Sequence, residues 1–63
     1  MSIGENILKK RESAGMTQEK LGVAVGVTKS MICKIELGLR NPTLPLSKAI
    51  ADVLGCTVDE LTE

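Results

Sequence analysis

The sequence predicts an all-α fold built from five short helices. Three observations carry that expectation. A Ser or Thr stands ahead of each apolar run, a glycine closes each of the first four, and no stretch alternates apolar and polar residues for long enough to make a strand. Helices this short are unstable in isolation, so each is expected to form only by packing on the others.

Taken in order, Ser2 followed by Glu5 fits a capping box, and Ile3, Ile7, Leu8 and Arg11 then recur at helical spacing until Gly15 supplies a stop. Thr17 caps a second helix that carries Glu19 at the positive end of its dipole and runs to Gly26. Thr28 caps a third, from Lys29 to about Leu37, ended by Gly38. Thr43 precedes a fourth, with Pro45 in the first turn, where its missing N–H is harmless, and with Leu46, Ile50, Val53 and Leu54 as its apolar stripe up to Gly55. Thr57 and Glu60 form a second capping box for a last turn or two through Val58 and Leu61. Residues 38–45 make the longest loop. The expected core is Leu8, Leu21, Val25, Val27, Ile32, Ile35, Ile50, Leu54 and Leu61.

With 63 residues, 43% of them hydrophobic and 25% charged, the chain is expected to form one small globular domain over residues 1–63, with no internal repeat or linker. The missing residue types exclude whole classes of chemistry. Without His there is no His-type metal site, no Ser-His-Asp triad and no Cys-His nucleophile pair, so an enzyme is not expected. Without Phe, Trp or Tyr there are no stacking platforms for single-stranded nucleic acid. Cys33 and Cys56 match no metal or redox motif and read as two reduced thiols. No cofactor, metal or small-molecule ligand is expected. The first residues lack a basic region followed by an apolar run, and no apolar stretch approaches the roughly 20 residues that cross a bilayer. A soluble cytoplasmic protein with no membrane partner is the expectation.

Net charge is zero but unevenly spread. Residues 1–48 hold all eight Lys and Arg against four Glu, a net +4, whereas residues 49–63 hold four acids and no base. A split of this kind steers an anionic partner toward one side of the molecule. The informative stretch is residues 17–38, a helix, a tight turn at Gly26-Val27-Thr28 and a second helix, which is helix-turn-helix grammar. Advancing about 100° per residue from Lys29, the residues Ser30, Cys33, Lys34 and Leu37 fall within an arc of about 140°, with Met31, Ile32 and Ile35 opposite. One face is core and the other is free to read something.

Thr17-Gln18-Glu19-Lys20-Leu21, Gly26-Val27-Thr28-Lys29-Ser30, Ile32, Lys34-Ile35-Glu36, Gly38 and Asn41-Pro42-Thr43 together resemble the Cro/repressor-type (Xre) helix-turn-helix family. Ile7 with Lys10-Arg11, Gly15-Met16, Ile50-Ala51, Leu54-Gly55 and Val58-Asp59-Glu60-Leu61 extend the likeness over nearly the whole chain. The resemblance implies a compact, lambda repressor-like five-helix bundle that binds double-stranded DNA with its third helix in the major groove, usually as a dimer. It further implies that Gln18 meets a phosphate at the start of the second helix and braces the reading helix, and that Thr28 meets a phosphate through its backbone or its hydroxyl. Lys29, Ser30 and Lys34 match positions that meet base edges, with Cys33 between them, and Arg11 and Arg40 complete the set of DNA contacts. Arg11 and Glu36 match a structural ion pair that fixes the reading helix.

Four positions depart from the family pattern. Leu37 replaces a polar residue that commonly serves a phosphate. Gly22 replaces the usual alanine at the cost of about 1 kcal/mol of helix propensity. Val23 and Leu46 are apolar where polar residues are common. The expected function is a sequence-specific transcriptional regulator, a repressor of bacterial, archaeal or phage type, bound as a homodimer to a palindromic operator. Its half-sites would lie about 34 Å apart. The expected dimer interface is Leu44, Leu46, Val58 and Leu61, because these lie away from the reading face. The alternative is an interaction module of the same fold, antirepressor or antitoxin-like, with no strong DNA binding of its own.

Overall fold

A computed structural model describes residues 2–63; Met1, the first residue of the expected domain, lies outside the described residues. Five helices follow in order: α1 (Ile3–Ser13), α2 (Gln18–Val25), α3 (Lys29–Glu36), α4 (Leu44–Leu54) and α5 (Val58–Thr62). Every one begins at a hydroxyl side chain. The Oγ atoms of Ser2, Thr17, Thr28, Thr43 and Thr57 accept from the backbone N–H three residues on, at 3.0 to 3.3 Å. Each such cap satisfies a donor that the helix itself cannot, and contributes about 1 kcal/mol. The reciprocal box forms in full at α5, where Glu60 also accepts from the Thr57 N–H. At α1 the Glu5 carboxylate takes the Ser2 hydroxyl instead.

The helices close into a body of 24 × 23 × 20 Å. α2 packs on α3 and α4, α1 packs on α3 and α5, and α4 closes against α5. At the centre lie Ile7, Leu21, Ile32, Ile35, Ile50, Ala51 and Leu61. Four residues of the expected core are corrected by this arrangement: Val25, Val27 and Leu54 only flank it, and Leu8 is half-buried. Ile7 takes the place assigned to Leu8 because the buried face of α1 is Gly4, Asn6, Ile7 and Arg11, three of which are not aliphatic. An apolar stripe read from hydropathy alone therefore centres one position too far along. On α4, likewise, Val53 is exposed and the inner face is Ser47, Ile50 and Ala51. α3 ends at Glu36 with Leu37 as its cap, and the connection to α4 runs from Gly38 to Thr43. Among the described residues, no helix is long and apolar enough to cross a membrane.

Candidate nucleic-acid interface

The turn between α2 and α3 is fixed by backbone geometry. Gly26 caps α2 at φ 80°, a left-handed conformation that costs glycine nothing, and the Val27 N–H returns to the Gly22 carbonyl at 2.8 Å. A Cβ on Gly22 would stand 2.7 Å from the Val27 oxygen and 3.2 Å from the Thr28 carbonyl, so α2 and the start of α3 meet backbone to backbone. The far end of α3 is seated in the same way. A Cβ on Gly4 would collide with the Ile35 carbonyl oxygen and lie 2.9 Å from that of Glu36.

Beside that second seat is a buried polar cluster. Arg11 donates from Nε to Glu36 Oε2 at 2.6 Å and from Nη2 to Oε1 at 3.1 Å, and its Nη1 donates to the Met16 carbonyl at 2.8 Å. Gln18 donates from Nε2 to Glu36 Oε1 at 2.9 Å. One carboxylate on α3 thus gathers groups from α1 and α2. The hydrogen bonds that Arg11 donates to Glu36 hold its guanidinium above its ordinary pKa despite the opposing effect of burial. A bidentate pair of this kind fixes orientation more surely than it adds net stability. Among the described residues, no buried side-chain nitrogen or oxygen lacks a hydrogen-bond partner.

With its inner face held by Ile32, Ile35 and Glu36, α3 turns Lys29, Ser30 and Lys34 to solvent, with Cys33 half-buried beside them. Thr28 is exposed, and its hydroxyl oxygen is engaged by the Met31 N–H. Arg40 is exposed in the segment that follows α3. At the N-terminal ends of α2 and α3 an open depression of about 430 Å³ is lined by Arg11, Thr17, Gln18, Glu19 and Lys29. Lys29, the edge of Arg11 left over from Glu36 and the positive end of the α2 dipole face it against one carboxylate, Glu19, so that an anionic oxygen fits on the Gln18 and Lys29 side. Three of the five guanidinium donors of Arg11 are used within the chain, so only the remaining N–H groups can face that depression.

The expected interface residues differ in how far they are exposed. Leu44 is exposed, while Leu46 and Val58 are half-buried and pack on the core. Leu61 is corrected: it is 0% exposed within a single chain, enclosed where α5 folds onto α1 and α4, and so offers nothing to a second copy. The sequence reading also passed over Gly4, the Gln18 bond to Glu36 and the Met16 carbonyl. For Gly4 there was a signal, since a glycine inside a helix with no turn to make weakens that helix and calls for a packing reason. The other two contacts leave no mark in residue type.

The helix-turn-helix family model matches residues 7–61. An uncharacterized HTH-type transcriptional regulator of Methanothermobacter thermautotrophicus is 43% identical over 49 residues, covering 78% of this chain and 71% of that protein. The HTH-type regulator YazB of Bacillus subtilis is 38% identical over 58 residues, covering 92% and 84%. Among solved structures, the P22 c2 repressor protein in complex with synthetic operator 9T superposes with a TM-score of 0.94 at 28% identity, covering 100% of this chain and 96% of that one.

Proposed function

The chain belongs to the helix-turn-helix family, whose curated relatives are transcriptional regulators rather than enzymes, and we propose that it is a repressor that binds a palindromic operator as a homodimer, reading the major groove with α3. One observation carries this reading. The exposed face of α3 presents Lys29, Ser30 and Lys34 on a helix whose other face is immobilised by core aliphatics and by the Arg11–Glu36–Gln18 cluster. Base readout needs side chains that are free to donate on a backbone that is not free to move. The binding of the P22 c2 repressor to an operator, in a domain that superposes over this whole chain, supports the same reading.

In this scheme Lys29, Ser30 and Lys34 meet base edges, with Cys33 close to a thymine methyl. A phosphate occupies the depression beside Gln18, where the N-terminal end of α2 and Lys29 neutralise it, and Thr28 meets a phosphate through its backbone or its hydroxyl. The second amide hydrogen of Gln18 and the remaining N–H groups of Arg11 are available to it, and Arg40 meets the backbone beyond. Leu44 forms the exposed part of the dimer contact, with Leu46 and Val58 at its edge. So small an apolar surface makes a weak dimer that assembles on DNA. The domain spans residues 1–63 and acts in the cytoplasm.

Selection of binding sites from random duplex DNA tests the proposal. Enrichment of a two-fold symmetric sequence, bound with two chains per duplex and with affinity falling steeply as salt rises, is the expected result. Failure to enrich any sequence overturns it and leaves an interaction module of the same fold.

A further inference from the structure

Resting on the reading role of α3, we propose that Gly4 is a positioning residue for DNA recognition: its bare Cα lets the α1 backbone sit against the last carbonyls of α3 and so sets the tilt of that helix. Both groups that a Gly4 methyl would meet, the carbonyls of Ile35 and Glu36, are backbone, and neither can be relieved by turning a flexible side chain. Glycine disfavours a helix interior relative to alanine, and at Gly4 the φ angle is not positive, so no turn accounts for it. The space itself is what the position supplies.

A methyl there must displace one helix or the other, and the two are held unequally. α1 is tethered on its far side, where Asn6 Nδ2 donates to the carbonyls of Leu61 and Glu63, each at 2.8 Å, and one turn on from Gly4 it is anchored by fully buried Ile7. The end of α3 is held through side chains, by buried Ile35 and by the bonds of Arg11 and Gln18 to Glu36, which can re-form about a shifted backbone, while Leu37, Gly38, Leu39, Arg40 and Asn41 beyond it are all exposed. α3 therefore yields. Its start remains seated on Gly22 against Val27 and Thr28, and the movement becomes a tilt about that contact instead of a translation. Lys34, next to the displaced carbonyls, travels furthest; Lys29 and Ser30, near the pivot, travel least.

The test compares Gly4→Ala with the unaltered chain on the duplex that the latter enriches from random DNA and on its single-base-pair variants. Discrimination is expected to fall about tenfold at the base pair whose preference Lys34→Ala also removes, as for the loss of one base-edge contact, and to persist at pairs sensitive to Lys29→Ala. A uniform loss across all duplexes, or none, overturns the proposal. Residual dipolar couplings of the α3 amides, referred to α4, supply a readout that needs no DNA. A reoriented α3 beside an unmoved α1 supports the proposal, and a displaced first turn of α1 beside an unmoved α3 overturns it. If the unaltered chain enriches no duplex, the function proposed above fails while the couplings still decide the role of Gly4. Should Gly4→Ala unfold, the couplings are measured in sucrose, which favours the compact state. A chain still unfolded there overturns the proposal, because the space would then serve folding and not the pose.

Discussion

Lys10 and Arg11 are neighbours on α1, and each pairs with a glutamate of another helix, yet the two pairs differ in what decides their weight. Arg11 reaches Glu36 of α3 at 2.6 Å with side chains 11% and 4% exposed, whereas Lys10 reaches Glu60 of α5 at 3.3 Å with side chains 39% and 44% exposed. Water screens the second pair and is largely excluded from the first. The same kind of contact therefore acts as a fixed joint at the reading end and as a loose surface contact at the other. There, Leu61 in the core and Asn6 on the backbone hold α5. Orientation is secured where the proposed function needs it, and cohesion is supplied elsewhere by aliphatic burial.

The largest effect is expected from Glu36→Ala, which strands a buried guanidinium and removes the acceptor of Gln18. The loss is about 3 to 5 kcal/mol, against a total stability of about 3 to 9 kcal/mol for a chain of this length. Urea unfolding followed by circular dichroism measures it. The double replacement Arg11→Met with Glu36→Leu sharpens the point, since it leaves no orphaned charge. Most of the stability is expected to return, while binding to the enriched duplex stays weak because Gln18 and the end of α3 are no longer joined.

Leu61→Ala tests the other side of the comparison. It should cost about 2 to 5 kcal/mol through the cavity it opens, visible as a lowered Tm, and at temperatures where the variant stays folded its affinity for DNA should be unchanged. A folded Leu61→Ala chain with impaired binding would break the division between joint and core. Lys34→Ala comes next. About 1 to 3 kcal/mol of binding should be lost at one base pair, with Tm unmoved because the side chain is exposed. Equal loss on every duplex would assign Lys34 to phosphate.

The smallest effect belongs to the exposed pair. The Thr57 N–H, and after it Lys10, hold the Glu60 carboxyl below its ordinary value of 4.5. A carboxyl whose pKa is depressed on folding stabilises the fold above its unfolded value, and that contribution disappears as pH falls through the folded value. Glu60→Gln should accordingly lower Tm slightly at neutral pH and match the unaltered chain in acid, which flattens the decline of Tm with pH below 4.5. A large change at neutral pH would show that the α5 contact is less solvated than its exposure indicates.

Every helix start was legible in the sequence because it depends on a local rule: a hydroxyl that can accept from an N–H three residues on marks itself at Ser2, Thr17, Thr28, Thr43 and Thr57. The outward face of α3 was legible for the same reason, since three polar residues and one half-buried thiol at helical spacing define an arc without reference to the rest of the chain. What eluded reading depends on contacts between distant segments. Ile7 and Leu8 are equivalent in hydropathy, and only the approach of α3 to Gly4 and Arg11 decides which is buried. The sequence assigns Leu61 both to the core and to the interface, and only α5 folded against α1 and α4 decides for the core. The Arg11–Glu36 pair followed from resemblance; its bond to Gln18 required the geometry.

Asn6 joins parts of the chain 55 and 57 residues apart. Small domains ordinarily loosen from their termini inward, each end fraying on its own. Here the last helix cannot leave without stripping two acceptors from an amide that stands at the edge of the core, and the first turn of α1 cannot leave without uncovering the carbonyls of the last. The first turn of α1 and α5 are thus expected to open as one cooperative unit, which hydrogen exchange reads as a shared opening free energy of their amides.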